Sequence, residues 1–176
     1  MNIRLKKIVF TSILTALSLI AFMLESLFPP LFIPGARMGL SNIFILITLL
    51  FVGRSYSFLA LTVKAVLGSL FSGNVSAILY ALPAGLIALT AEVIILNFDK
   101  RFSVLAASVM GSVLNMTVQN VAFCLITGAT AYLIYLPYLS LIGAGAGLIV
   151  GFAVFLIKRY LPNKYNLTLL YSEEKN

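Results

Sequence analysis

Apolar residues arrive in this chain in runs of about twenty, the length of helix that crosses a hydrocarbon core of about 30 Å. Six such runs can be parsed, at 8–28, 38–52, 56–72, 75–97, 103–126 and 138–157, the second of them short. Turn-forming residues separate them: Pro29-Pro30 with Pro34-Gly35, Gly53-Arg54-Ser55, Ser72-Gly73-Asn74, Asn97 to Arg101, and Thr127-Gly128 up to Pro137. The first run follows a basic start (Arg4, Lys6, Lys7) like a signal peptide. It is too long for one, and five more runs follow. The expected fold is therefore all-α, a polytopic six-transmembrane-helix bundle over residues 1–160. A polar tail, 161–176, is expected on the cytoplasmic side.

The composition agrees. Of 176 residues, 61% are hydrophobic and 10% are charged, with a mean hydropathy of +1.09. A soluble domain carries about 25% charged residues. This chain lacks the polar surface a water-facing fold requires, which excludes a soluble enzyme, a disordered tail and a disulfide scaffold. The net charge of +7 would suggest nucleic acid in a soluble chain. Here the basic residues flank the apolar runs, so they report topology and no nucleic-acid partner is expected. With the N-terminus in the cytoplasm, ten of the twelve Lys and Arg fall on the inner side; Arg37 falls outside and Lys64 within a span. This bias requires an even number of spans, with both termini cytoplasmic.

The residue inventory limits the chemistry. There is no His, and Cys124 is the one Cys. A zinc cage and a Cys/His nucleophile pair are therefore absent. The acids are Glu25, Glu92, Asp99, Glu173 and Glu174, and only the tail pair is adjacent. A magnesium-dependent diphosphate enzyme needs clustered carboxylates to hold its metal. No Gly-x-x-x-x-Gly-Lys-Ser/Thr loop occurs, so energy for transport would come from an ion gradient or a partner. No catalysis, metal or cofactor is expected of this chain.

Charges inside spans cost about 2.5–3.5 kcal/mol each and are the best pointers to function. Lys64 shares a helix face with Ala60, Gly68 and Ser72, so it points into the bundle. It is either a contact for a phosphate or carboxylate, or a structural amine that snorkels or pairs with Glu92. Glu92 shares a face with Ala81, Gly85 and Ala88. It lies about 12 Å deeper than Lys64 at about 1.5 Å per residue, which favours a structural or coupling role. On the fifth span Asn115 and Gln119 share a face with Ser108, Gly111 and Ser112. Amides donate and accept, which suits ligand carbonyls and ring nitrogens; interhelical hydrogen bonding is an equal reading. Arg37 stands beside a helix start, a natural anion site, or bridges to Glu25. Small residues recur at four-residue spacing at Ser12 and Ala16, and at Gly143, Gly147 and Gly151. Such faces allow close helix approach, and for the glycines internal packing is the favoured reading. The loop from Tyr132 to Tyr138 reads as an interfacial aromatic belt or a lid.

The order of motifs carries a resemblance. It runs through Glu25-Ser26 before Pro29-Pro30, Pro34-Gly35-Ala36-Arg37-Met38-Gly39-Leu40-Ser41-Asn42, Gly68-Ser69-Leu70-Phe71-Ser72-Gly73, Tyr80-Ala81-Leu82-Pro83-Ala84-Gly85, Asn115 with Gln119, and Pro137-Tyr138. Over about Ile8 to Ile157 the chain resembles the Gx transporter family, also labelled heptaprenyl diphosphate synthase component I. That family is similar to the substrate-binding (S) components of energy-coupling factor (ECF) transporters, six-helix proteins of the bacterial cytoplasmic membrane. The resemblance implies a small-molecule ligand, a membrane coupling subunit and two ATPase subunits as partners. It implies Glu25, Arg37, Asn42, Lys64, Tyr80, Asn115 and Gln119 at the ligand, with Tyr80 as a stacking face. It also implies Ser12 and Ala16 at the coupling subunit. Two positions depart from the family pattern: Leu114 where a His is common and Lys64 where an Arg is common. Lys keeps the charge but loses the planar fork. The implied ligand is a micronutrient-like molecule, with a flavin or quinone precursor as the guess and an anionic one favoured by the charge pattern. The alternative is a non-catalytic anchor for a prenyl diphosphate synthase or a flavin/quinone electron-transfer system.

Overall fold

The computed structural model describes residues 3–26, 39–98 and 104–160, and these residues are helical with no strand among them. Six α-helices follow in order: α1 Ile3–Ser26, α2 Asn42–Phe51, α3 Arg54–Phe71, α4 Ile78–Phe98, α5 Val104–Thr127 and α6 Leu136–Tyr160. Short 3-10 turns at Val75–Ala77 and Thr130–Tyr135 lead into α4 and α6. Among the described residues, four helical segments are long and apolar enough to cross a membrane: Ile3–Ser26, Val75–Asn97, Val104–Thr127 and Thr130–Tyr160. This is a membrane protein. The two other helices are shorter or more polar. α2 has ten residues, about 15 Å of helix. α3 carries Arg54 and Lys64 within its eighteen. Arg37, the first-loop prolines and the tail 161–176 lie outside the described residues.

Local chemistry explains the helix ends. α3 stops where Gly73 takes a φ of +71°, a left-handed turn that glycine enters without a Cβ clash. The Gly73 N–H donates to Leu70 O at 3.1 Å and the Asn74 N–H to Ser69 O at 3.2 Å, which closes the last carbonyls of the helix. Asn74 then caps the next element: its Oδ1 accepts from the Ala77 N–H at 3.2 Å and from Ser76 Oγ at 2.9 Å. At the opposite end of the bundle, Arg54 Nη2 donates to Asn97 Oδ1 and ties the start of α3 to the end of α4.

Each helix buries the face that its neighbours leave dry. α2 is apolar all round, and Ile45, Leu46, Ile47, Thr48 and Leu49 are all buried, so it runs through the core. It packs in one cluster with Leu14 of α1, Ala60 and Leu61 of α3, Leu89 of α4, Val104 of α5, and Val150 and Val154 of α6. α1 turns its polar stripe inward: Lys7, Thr11, Thr15 and Ser18 are buried. Thr11 and Thr15 return their hydroxyls to the carbonyls of Lys7 and Thr11, which satisfies them within the helix. The opposite face of α1 exposes Ile8, Ile13, Leu17, Ile20 and Leu24. An apolar outside and a polar inside are what lipid as a solvent selects.

Candidate functional site

One cleft draws on five helices. It is lined by Phe22 and Glu25 of α1, Gly39 and Ser41 before α2, Asn42 at its start, Leu61, Lys64 and Ala65 of α3, Ala81 and Gly85 of α4, and Asn115 and Gln119 of α5. It encloses about 450 Å³ of non-atom space, its open mouth included.

Ser41 is the junction of this cleft. Its backbone N–H donates to Glu25 Oε1 at 2.7 Å, and its carbonyl accepts from Ser18 Oγ at 2.8 Å. Its hydroxyl accepts from Lys64 Nζ at 3.1 Å. Three polar atoms of one residue thus join α1, the start of α2 and α3. Lys64 Nζ also donates to Asn42 Oδ1 at 2.5 Å, a charge-assisted hydrogen bond. The Lys64 side chain is 6% exposed, so the ammonium is held inside the protein and does not snorkel out. Its Nζ stands 5.8 Å from the centroid of the Phe22 ring, within cation–π range. Phe22 can lie there because position 68 is glycine; a Cβ at Gly68 would collide with the Phe22 ring.

The residues expected at a ligand fall into three groups. Glu25, Asn42, Lys64, Asn115 and Gln119 line this cleft together. Tyr80 is buried beside it and outside its lining: its ring meets Phe123 edge-on at 5.6 Å, and Asn74 Nδ2 donates to its Oη at 3.4 Å. Arg37 lies outside the described residues. The aromatic row continues from Phe123 to Tyr132 at 5.5 Å, and Asn120 Nδ2 donates to Tyr132 O at 3.1 Å. Part of the Tyr132–Tyr138 loop is therefore packed against α5.

Opposed charges, a serine and three side-chain amides around one cavity can read a polar heterocycle by its donors and acceptors. Among the described residues no group of three or more His, Cys, Asp or Glu is placed to hold a metal ion.

A family model described as heptaprenyl diphosphate synthase component I matches residues 14–157. The chain belongs to that family. No curated protein and no solved structure matches the chain. The family match takes in every lining residue of the cleft. It includes Ala16 and begins just after Ser12.

Within the same matched stretch, Glu92 occupies a place of its own. It is 9% exposed and ends a smaller chamber lined by Asn42, Ile45, Leu61, Gly85, Ala88 and Leu89. Asn42, Leu61 and Gly85 are shared with the cleft, so the two adjoin. Its carboxylate packs where a Cβ at Gly111 would otherwise stand. Sequence reasoning did not single out Ser41, Ser18 or Phe22 as site residues. The available signals were a Ser-Asn pair at a helix start and a glycine one turn beyond a buried lysine.

Proposed function

We propose that this chain is the membrane-embedded substrate-binding subunit of an ECF-type transporter, crossing the bilayer six times with both ends cytoplasmic. α2 and α3 are then the second and third crossings. The cleft, with five polar side chains from α1, α2, α3 and α5 turned to one space, is the observation that supports this reading. The occupant is a small micronutrient-like molecule, anionic on one side, with a flavin or quinone precursor as the leading chemistry. Asn115 and Gln119 would read its carbonyls and ring nitrogens, and Lys64 its negative group. The chain itself catalyses nothing; partner ATPases supply the energy. Ser12 and Ala16, exposed on the outer face of α1, would dock on the coupling subunit and let the whole subunit reorient.

Mass spectrometry of the small molecule released from purified protein tests the binding role. A defined molecule at near-equal stoichiometry is expected. Lys64→Met should lower its retention at least about tenfold, the scale of one lost charge-assisted hydrogen bond, while protein level changes less than about twofold. Unchanged retention in Lys64→Met would remove Lys64 from the site.

The family description favours one second reading, a non-catalytic membrane anchor for a prenyl diphosphate synthase. Affinity purification from native membranes separates the two. A coupling subunit with ATPases supports transport, and a soluble synthase supports the anchor.

A further inference from the structure

Glu92 is nine-tenths buried and lines a chamber whose other walls are apolar except for Asn42. Among the described residues its carboxylate makes no hydrogen bond and no ion pair. A buried carboxyl group accepts hydrogen bonds in either protonation state, and leaving it without a donor is costly. The fold around it offers none. Lys64 donates to Ser41 Oγ and Asn42 Oδ1 and acts on Glu92 through space alone. Lys7, also buried, belongs to α1, which contributes no wall to the chamber. Arg54 donates to Asn97. Gly111, against which the carboxylate packs, has no side chain. The chamber adjoins the cleft along Asn42, Leu61 and Gly85, which wall both. Gly85 keeps that boundary open: a Cβ there would stand 3.1 Å from Leu61 Cδ1. Along α4 the joined space runs from Ala81 to Glu92, eleven residues or about 16 Å of helix.

We propose that Glu92 is the inner contact of the substrate, and that the substrate is an elongated molecule whose inner end carries N–H donors flanked by apolar atoms. The inference deepens the substrate-binding reading and rests on it. The donor end passes Gly85, lies between Ile45, Leu61, Ala88 and Leu89, and gives its hydrogen bonds to the Glu92 carboxylate. Its remaining groups stay in the cleft, among Lys64, Asn115 and Gln119. A buried intramembrane acid facing a cavity is ordinarily a functional group, and here its role is that of an acceptor. This demand narrows the chemistry of the occupant. A heterocycle with an amino group or a ring N–H meets it. A quinone ring, which presents acceptors alone, does not. The binding of a donor at Glu92 requires nothing of the Lys64 charge.

Benzamidine is the probe, since its flat fork of N–H donors matches one carboxylate and its ring is apolar. Benzoate, of the same shape with acceptors alone, is the control. Thermal unfolding of the intact protein in lipid nanodiscs is followed with a thiol-reactive dye through Cys124, the one Cys, which is buried. At about 10 mM, benzamidine should raise the wild-type midpoint by about 3 °C. Glu92→Leu removes the acceptors and should abolish the rise. Gly85→Val leaves Glu92 in place, narrows the way to it, and should reduce the rise. Benzoate should act alike on wild type and Glu92→Leu, whether or not Lys64 holds it, so a failure of the anion reading leaves the benzamidine comparison intact. If Glu92→Leu does not fold, Glu92→Gln keeps one acceptor and should retain at most about half of the rise. No rise in wild type, the result expected if Glu92 holds water alone, overturns the proposal. So does a rise of wild-type size in Glu92→Leu or Glu92→Gln.

Discussion

On α6, Gly143, Gly147 and Gly151 lie so close to α5 that a Cβ on Gly147 would stand 2.6 Å from Val109 Cα and 2.8 Å from Ser108 O. On α1, Ser12 and Ala16 share the same four-residue spacing and face outward, with Ser12 Oγ returned to Ile8 O at 3.0 Å. One stripe is consumed by the fold and the other is left open. Small residues lower the barrier to helix approach wherever they occur. Whether the approaching helix belongs to the same chain depends on which faces remain once the bundle has closed.

The two stripes should respond oppositely to the same substitution. The largest effect is expected for Gly147→Leu. Its neighbours are backbone atoms that cannot swing aside, so the α5–α6 seam must open, at a cost of about 3 kcal/mol or more. Monodisperse protein after detergent extraction should fall several-fold. Gly145→Leu is the matched control: nothing lies within 4 Å of a Cβ there, and extraction should be unchanged. A fold that tolerates Gly147→Leu as easily as Gly145→Leu would show that the seam is not close-packed.

A middle effect is expected for Gly68→Ala. The obstruction there is the Phe22 ring, a side chain that can move, so the cost should be about 1 kcal/mol. Phe22 would leave its place beside Lys64, and ligand retention should fall more than thermal stability does. The smallest structural effect is expected for Ser12→Leu with Ala16→Leu. Both positions are exposed, so stability should stay within about 0.5 kcal/mol of wild type. Ligand retention should persist while uptake in cells is lost. Loss of retention together with uptake would make the α1 stripe a folding element like that of α6.

The sites differ in how far they could be read in advance. Lys64, Asn115 and Gln119 were legible because an intramembrane polar residue on a face of small neighbours must turn away from lipid. Their meeting with Glu25 and Asn42 was not, since α1 and α2 are joined through a long connection whose path no periodicity describes. Ser41 carries no such signal, because its role rests on its backbone as much as its hydroxyl. Tyr80 shows the limit of a face read from one helix: it lies next to Ala81, which lines the cleft, but its ring turns to Phe123.

The sequence by itself determined that this chain is helical, lives in a bilayer and turns Lys64 and Glu92 inward, because lipid penalises every exposed charge and every unbonded peptide group. Only the tertiary structure decided which inward faces meet. Helical periodicity assigns residues to a face but carries no record of the face opposite. That pairing is chosen by shape and hydrogen bonding between segments far apart in the chain, as Ser41 joins Ser18, Glu25 and Lys64.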